Sequence, residues 1–313
     1  MYKKTMYSVG ILSGQAKWSE VLAEMLKTSG SRVSGWINPQ ESSPLAIQQL
    51  IDFSDLIWIP EKSNGGMDEA IQVIRRSRHL SLGFPVVEFM DEAPFMVKLA
   101  HEARVQVQVG HHDWHHPAFR SSLMHIFQPQ SIRIIDFLPE LPSEESHRQV
   151  FKTILADVDL ALGLSGSTVR RVRPHASRLL NGTTIQVDIR VELHNGSVIN
   201  LDIRKFAEMP DRRIEVIQSD GIILIDLLKG TSHFEEYQET DAGYSFSGKI
   251  LWPPAGDASV MLRSDPPCEE EVARQCLSFI HALERGHHSL SSLEGGFKAL
   301  EITRQIETNL GTF

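Results

Sequence analysis

From Tyr7 to Val109 the chain alternates short apolar runs with amphipathic helical stretches, and no other feature of the sequence limits its fold as tightly. Tyr7–Leu12, Val33–Ile37, Leu56–Ile59, Val86–Phe89 and Val105–Val109 read as buried strands, the third closed by Pro60. Between them Trp18–Lys27, Leu45–Ile51, Asp68–Arg76 and Pro94–Ala103 carry the helical period. The first of these helices sets Val21, Leu22, Met25 and Leu26 on one face, and Gly30 follows as a stop signal. Strands joined through helices run parallel, and a parallel sheet needs both faces covered. The expected result is a doubly wound, Rossmann-like sheet that binds ligands at the carboxyl ends of its strands.

After Pro117 turn signals replace crossover helices. Thr183–Leu193 alternates, with Ile185, Val187, Ile189, Val191 and Leu193 on one face, and Asn195-Gly196 turns the chain into Val198–Ile203. A second hairpin at Ser219-Asp220-Gly221 joins Ile214–Ile217 to Ile222–Leu227, and Ser131–Leu138, Thr168–Pro174 and Gly248–Leu251 add strands. Helices return at Glu270–Glu284, ended by Gly286, and at Gly295–Asn309. The fold class is therefore α/β plus α+β. A Rossmann-like doubly wound parallel sheet spans residues 1–118, and a mostly antiparallel open sheet with helices on one face spans 119–313. The last helix, about 295–309, is a candidate to pack back on the first domain.

A length of 313 residues suits two domains, and 41% apolar with 23% charged residues is an ordinary globular mix. The formal charge of -9 argues against nucleic acid and anionic lipid as partners. Arg75, Arg76 and Arg78 form a basic cluster on a helix whose simplest role is a solvated face. No long apolar run or export signal is visible, so neither membrane spanning nor secretion is expected. Cys268 and Cys276 lie eight apart on a predicted helix, about 12 Å by helical rise, too far for a disulfide, and read as reduced thiols of a cytoplasmic protein.

Several segments carry a resemblance. Phe84-Pro-Val-Val-Glu-Phe, the Glu92–Ala103 helix and Val109-Gly-His-His-Asp-Trp-His-His-Pro-Ala-Phe-Arg resemble the Glu-Lys-Pro strand end, the following helix and the Val-Gly-x-x-x-Arg-x-x-Pro stretch of the glucose-fructose oxidoreductase, inositol dehydrogenase and rhizopine-catabolism (Gfo/Idh/MocA) family. Ala156-Asp-Val-Asp-Leu-Ala is similar to its His-Asp-Ile-Asp helix, and the hairpin at Ile214 and the tail from Phe279 to Ile306 also fit. The resemblance covers nearly the whole chain. It implies NAD or NADP at the end of the first strand, hydride transfer with a sugar, polyol or similar hydroxyl compound, and homo-oligomers formed through the second sheet, whose apolar alternation would need covering.

The motif positions are altered. Phe89 and Met90 stand where the family has Lys and Pro, which leaves only Glu88 of that motif. Lys152 and Ala156 stand at the Asp and His positions, so the usual cation and proton-handling groups are missing. The glycine positions of the phosphate-binding turn read Ser13, Gln15 and Trp18, with Gly14 out of register. Gln15 would occupy space that a diphosphate needs, and Trp18 would push the helix off the strand. Asn38 replaces the acidic residue that pairs with the ribose. Cofactor contacts would come from Ser13, Gly14, Gln15, Asn38, Pro60 and Glu88, and a substrate cleft from Phe89, His111, His112, Trp114 and His115.

Three candidates for replacement chemistry are Lys152, as a relocated cation on the first turn of its helix, Asp157 and His112. Against them, Asp157 and Asp159 are also explained if one caps or pairs with a neighbouring helix and the other is solvated. The imidazoles of the His111–His116 run could bind zinc or nickel if three converged, but neighbours on an extended segment point opposite ways. The sequence thus supports an oxidoreductase-type scaffold with weakened or lost hydride transfer. The alternatives are a non-catalytic small-molecule or partner-binding module and, third, a metal-dependent enzyme.

Overall fold

The computed structural model describes residues 6–27, 30–62, 67–140, 143–240, 243–253 and 269–311. In chain order these form β1 (Ser8–Leu12), α1 (Lys17–Leu26), β2 (Arg32–Ile37), α2 (Pro44–Asp52), β3 (Leu56–Ile59), α3 (Asp68–Arg75), β4 (His79–Leu82), α4 (Ala93–Ala103) and β5 (Val107–Gln108). There follow α5 (Pro117–Ser122), β6 (Ser131–Phe137), α6 (Ser143–Ser165), β7 (Val169–Arg178), β8 (Thr184–Leu193), β9 (Val198–Arg204), β10 (Asp211–Gln218), β11 (Gly221–Asp226), β12 (Thr231–Thr240), β13 (Gly243–Trp252), α7 (Glu269–Glu284) and α8 (Leu293–Leu310). They gather into two compact units, residues 1–115 with 265–298 and residues 116–264 with 299–313.

In the first unit five parallel strands, among the described residues, lie in the order β2-β1-β3-β4-β5. β3 is buried along its whole length, as a central parallel strand must be. α2 starts where Ser43 accepts a hydrogen bond from the Ala46 N–H (3.3 Å) and Pro44 fills the first helical position. α1 and α7 cover one face: Leu22 and Leu26 from α1, and Cys276 and Phe279 from α7, pack with Val9 and Trp58 of the strands. The Gln275 side-chain amide of α7 donates to the carbonyls of Leu82 (3.3 Å) and Val109 (2.8 Å), tying the ends of two neighbouring strands to that helix. Gly83 is required where it stands, because a Cβ there would lie 2.2 Å from the Pro60 carbonyl oxygen.

The fourth strand is not Val86–Phe89, as the apolar run suggests, but His79–Leu82. Val86–Phe89 forms a 3-10 turn after Pro85, burying Val86, Val87 and Phe89 and leaving Glu88 half-buried. A four-residue apolar run is compatible with either conformation, and burial without a neighbouring strand selects the turn.

In the second unit eight strands, among the described residues, lie in the order β13-β12-β11-β10-β6-β9-β8-β7, antiparallel except for the β6–β9 pair. Gly196, at φ 89°, supplies the left-handed position of the β8–β9 hairpin. β12, which the sequence reading missed, has little apolar alternation of its own and is held by pairing on both sides. α6 packs on β6 and β9. The apolar residues of the alternation (Val187, Ile189, Val191, Leu193) are buried. The opposite face carries Arg133 4.0 Å from both Asp202 and Glu215, and Arg190 3.2 Å from Asn200.

α6 begins at Ser143, so Lys152 stands in its middle and not on its first turn. Among the described residues no helix is long and apolar enough to cross a membrane. Cys268 lies outside the described residues. Cys276 is fully buried, and burial pushes its thiol far up from the usual value.

Candidate functional site

In the first unit a cleft of about 380 Å³ opens at the carboxyl ends of the strands, where ligands of such sheets bind. Ser13, Gly14 and Gln15 from the β1–α1 turn, Pro39 and Gln40 after β2, Glu61 and Lys62 after β3, and Met67 and Glu69 at the start of α3 line it. Leu12, Ile59 and Phe84 add to an apolar wall.

Glu61 organises this cleft. It follows Pro60 directly at the end of β3, and its carboxylate reaches the β1–α1 turn. Oε1 accepts from Ser13 Oγ (2.6 Å), and Oε2 accepts from Gln15 Nε2 (3.1 Å) and from the indole Nε1 of Trp18 (2.5 Å). The turn is also closed on itself: the Gln15 N–H donates to Ser13 Oγ (2.9 Å), the Trp18 N–H to the Gln15 carbonyl (3.4 Å) and the Ser19 N–H to the Ala16 carbonyl (3.0 Å). Trp18 does not push α1 off the sheet, as its bulk suggests. Its ring is buried and packs edge-on against Trp58, with centroids 5.5 Å apart at 80°.

These residues do not fit a dinucleotide in the usual pose. A diphosphate there needs main-chain N–H groups turned toward it and a close approach to the turn. Here several of those N–H groups are engaged, and Glu61 Oε1 stands 3.9 Å from where a Cβ on Gly14 would lie. Like charges about 4 Å apart repel by about 4 kcal/mol at an effective dielectric constant near 20. A helix N-terminus returns about 0.3–1 kcal/mol to an anion, so repulsion wins.

The remaining candidates are dispersed. Asn38 uses Oδ1 to accept from the Gln40 N–H (3.1 Å), which occupies it in its own turn. Pro60 is buried with its backbone against Gly83. The Glu88 carbonyl accepts from Lys62 Nζ. Phe89 is 2% exposed and stacks edge-on against Phe84 at 5.8 Å, which places it in the core and not among the residues lining the cleft.

His112–His115 forms a 3-10 turn and not the extended segment expected. His111, Trp114 and His115 are buried, His115 Nε2 lies 3.4 Å from Ser291 Oγ, and His112 is half-buried. His116 Nδ1 accepts from the Ala118 N–H (3.3 Å) and caps α5. Among the described residues no group of three or more His, Cys, Asp and Glu is placed to hold a metal ion.

In the second unit Asp157 is fully buried and accepts from Arg212 of β10 at 2.8 Å, while Asp136 of β6 takes the other guanidinium nitrogen. The Arg212 side chain thus pins α6 to two strands. Asp159 is 5% exposed, not solvated as expected. Lys152 and Ala156 lie one helical turn apart and half-buried.

Sequence reasoning missed Glu61. The available signal was an acidic residue directly after the proline that ends a central strand, a position that faces the phosphate turn in this topology.

No family model matches the sequence, and no curated protein matches it. Solved structures do. UDP-N-acetylglucosamine 3-dehydrogenase GnnA from Acidithiobacillus ferrooxidans is 17% identical, with 98% of each chain covered and a TM-score of 0.70. An NAD binding oxidoreductase from Klebsiella pneumoniae is 12% identical, covering 97% of this chain and 96% of that one at a TM-score of 0.71. A dehydrogenase from Chromobacterium violaceum is 12% identical, covering 98% and 96% at a TM-score of 0.69. Identities this low speak for architecture, and by architecture the chain has the fold of the Gfo/Idh/MocA-type dehydrogenases.

Proposed function

We propose that this chain derives from the NAD(P)-dependent sugar and polyol dehydrogenases whose fold it has, and that its crevice now binds a small molecule without hydride transfer in their manner. The observation that carries this reading is the Glu61 carboxylate, hydrogen-bonded by Ser13, Gln15 and Trp18 where the cofactor's diphosphate would have to sit. Support comes from the second unit, where the buried Asp157 is committed to Arg212, and from Phe89, whose ring offers no proton or charge at the lysine position. Fold alone does not establish a reaction, and here the side chains at the site argue against the inherited one. The reading also keeps the protein in the cytoplasm and leaves self-association through the charged face of the second sheet as part of the proposal.

Calorimetry with NAD, NADH, NADP and NADPH tests this. No binding up to millimolar concentration is the expected result. Saturable binding of any one of the four to the wild-type chain overturns the reading.

A further inference from the structure

The cleft's own charge and shape say more about what it takes. Resting on the reading that no diphosphate enters, we propose that the crevice binds an organic cation with an apolar body, its ammonium hydrogen-bonded to Glu61.

Three features point to this class of ligand. The first is the state of Glu61. A carboxylate accepts about four hydrogen bonds. Oε2 already has two donors, while Oε1 has one, the Ser13 hydroxyl. All three donors are neutral side chains, so they orient the group without cancelling its charge. The open position is on Oε1, the oxygen facing Gly14. Among the described residues other than Ser13 and Gln15 on either side of it, Oε1 is the atom found within 4 Å of the point where a Cβ on Gly14 would lie. An ammonium in that position makes a charge-assisted hydrogen bond, the stronger kind.

The second feature is the balance of charge along the lining. Glu61 and Glu69 are the two carboxylates, and Lys62 is the lining residue of opposite sign, its ammonium donating to the Glu88 carbonyl. The cleft therefore carries a net negative charge, within a chain whose formal charge is -9. Anions are disfavoured by the same repulsion that excludes a diphosphate, and cations are attracted.

The third is the apolar wall. Leu12, Ile59, Met67 and Phe84 give a carbon skeleton a surface to bury against, and about 380 Å³ holds a small ring with a short side chain. A free inorganic cation would gain nothing from that wall.

The test uses one carbon skeleton in three charge states: 2-phenylethylamine, 2-phenylethanol and phenylacetate. Each is titrated into the full chain, and the indole N–H resonance of Trp18, which is bonded to Glu61, is followed by NMR. The amine is expected to shift that resonance saturably and to bind at least about ten-fold more tightly than the alcohol, with no binding of phenylacetate. In Glu61→Gln, which keeps the side chain's shape, the preference for the amine should fall to within about two-fold of the alcohol.

Three results overturn the inference: no saturable response to the amine, binding of phenylacetate as tight as that of the amine, or an unchanged preference in Glu61→Gln. The dinucleotide measurement on the wild-type chain is separate. Dinucleotide binding defeats the reading on which the inference rests, whereas failure of the amine with no dinucleotide bound defeats the inference alone.

Discussion

The Glu61 carboxylate lies 2.5 Å from the indole nitrogen of Trp18, so an acidic side chain from the end of one central strand closes the turn that follows another. The contact joins core and cleft, because the same indole ring packs edge-on against Trp58 in the interior of the first unit. Trp18 thus contributes both a donor to the cleft and a large apolar surface to the core.

Removing the acceptor should cost stability. In Glu61→Ala the indole N–H, the Gln15 amide and the Ser13 hydroxyl lose their shared partner, and an unpaired buried donor costs about 1–3 kcal/mol. Urea denaturation should show a loss in that range with an unchanged slope. Trp18→Ala should cost more, about 3–5 kcal/mol, because it also opens a cavity beside Trp58. Equal losses for the two variants would mean that packing against Trp58 contributes little.

Arg212 should be among the most sensitive positions in the second unit. Its guanidinium sits between Asp136 and Asp157, all three nearly inaccessible to water. Arg212→Met leaves two carboxylates buried without their cation, and breaking a buried pair this way costs about 3–5 kcal/mol. Replacing both acids by asparagine in the Arg212→Met background should recover part of the loss. Chemical denaturation of the two variants decides this, and no recovery in the multiple variant would rule out uncompensated charge as the cause.

Stability should fall on the acid side through His79. Its Nδ1 accepts the Gln106 N–H (3.1 Å) and its ring meets Phe279 edge-on at 6.4 Å, so the neutral form is built in. Burial lowers its pKa below the ordinary 6.5, outweighing the opposing effect of the Asp55 charge. The unfolded chain therefore takes up the proton first. The contribution of His79 is present in full above about pH 6.5 and is lost as the pH falls from there toward its lowered folded value. A His79→Gln variant should show a flatter dependence of unfolding free energy between pH 7 and pH 5 than the wild-type chain, a comparison read directly from denaturation midpoints. Parallel curves would show that other groups account for the acid sensitivity.

Local pattern determined much of this protein. The alternation of apolar runs and helical stretches was enough for the doubly wound sheet, because parallel strands buried on both faces need both the runs and the crossovers. Alternation in Thr184–Leu193, followed by Asn195-Gly196, was enough for a hairpin, because side chains on a strand repeat every two residues and such a turn needs a left-handed glycine. The departures of Ser13, Gln15, Trp18 and Phe89 from the motifs that the sequence resembles are also legible as residue types at set spacings.

Tertiary structure decided what those residues do. Whether Val86–Phe89 extends or turns depends on whether a neighbouring strand is available to pair with it, which four apolar residues do not encode. Trp18 reads as an obstruction until Trp58 is placed beside it. Asp157 reads as a candidate acid until Arg212, fifty-five residues away, is seen to hold it. Glu61 meets Ser13 across forty-eight residues of chain. Hydrogen bonds and ion pairs depend on distance in space, and only the folded sheet brings the ends of its strands close enough for one carboxylate to answer three donors.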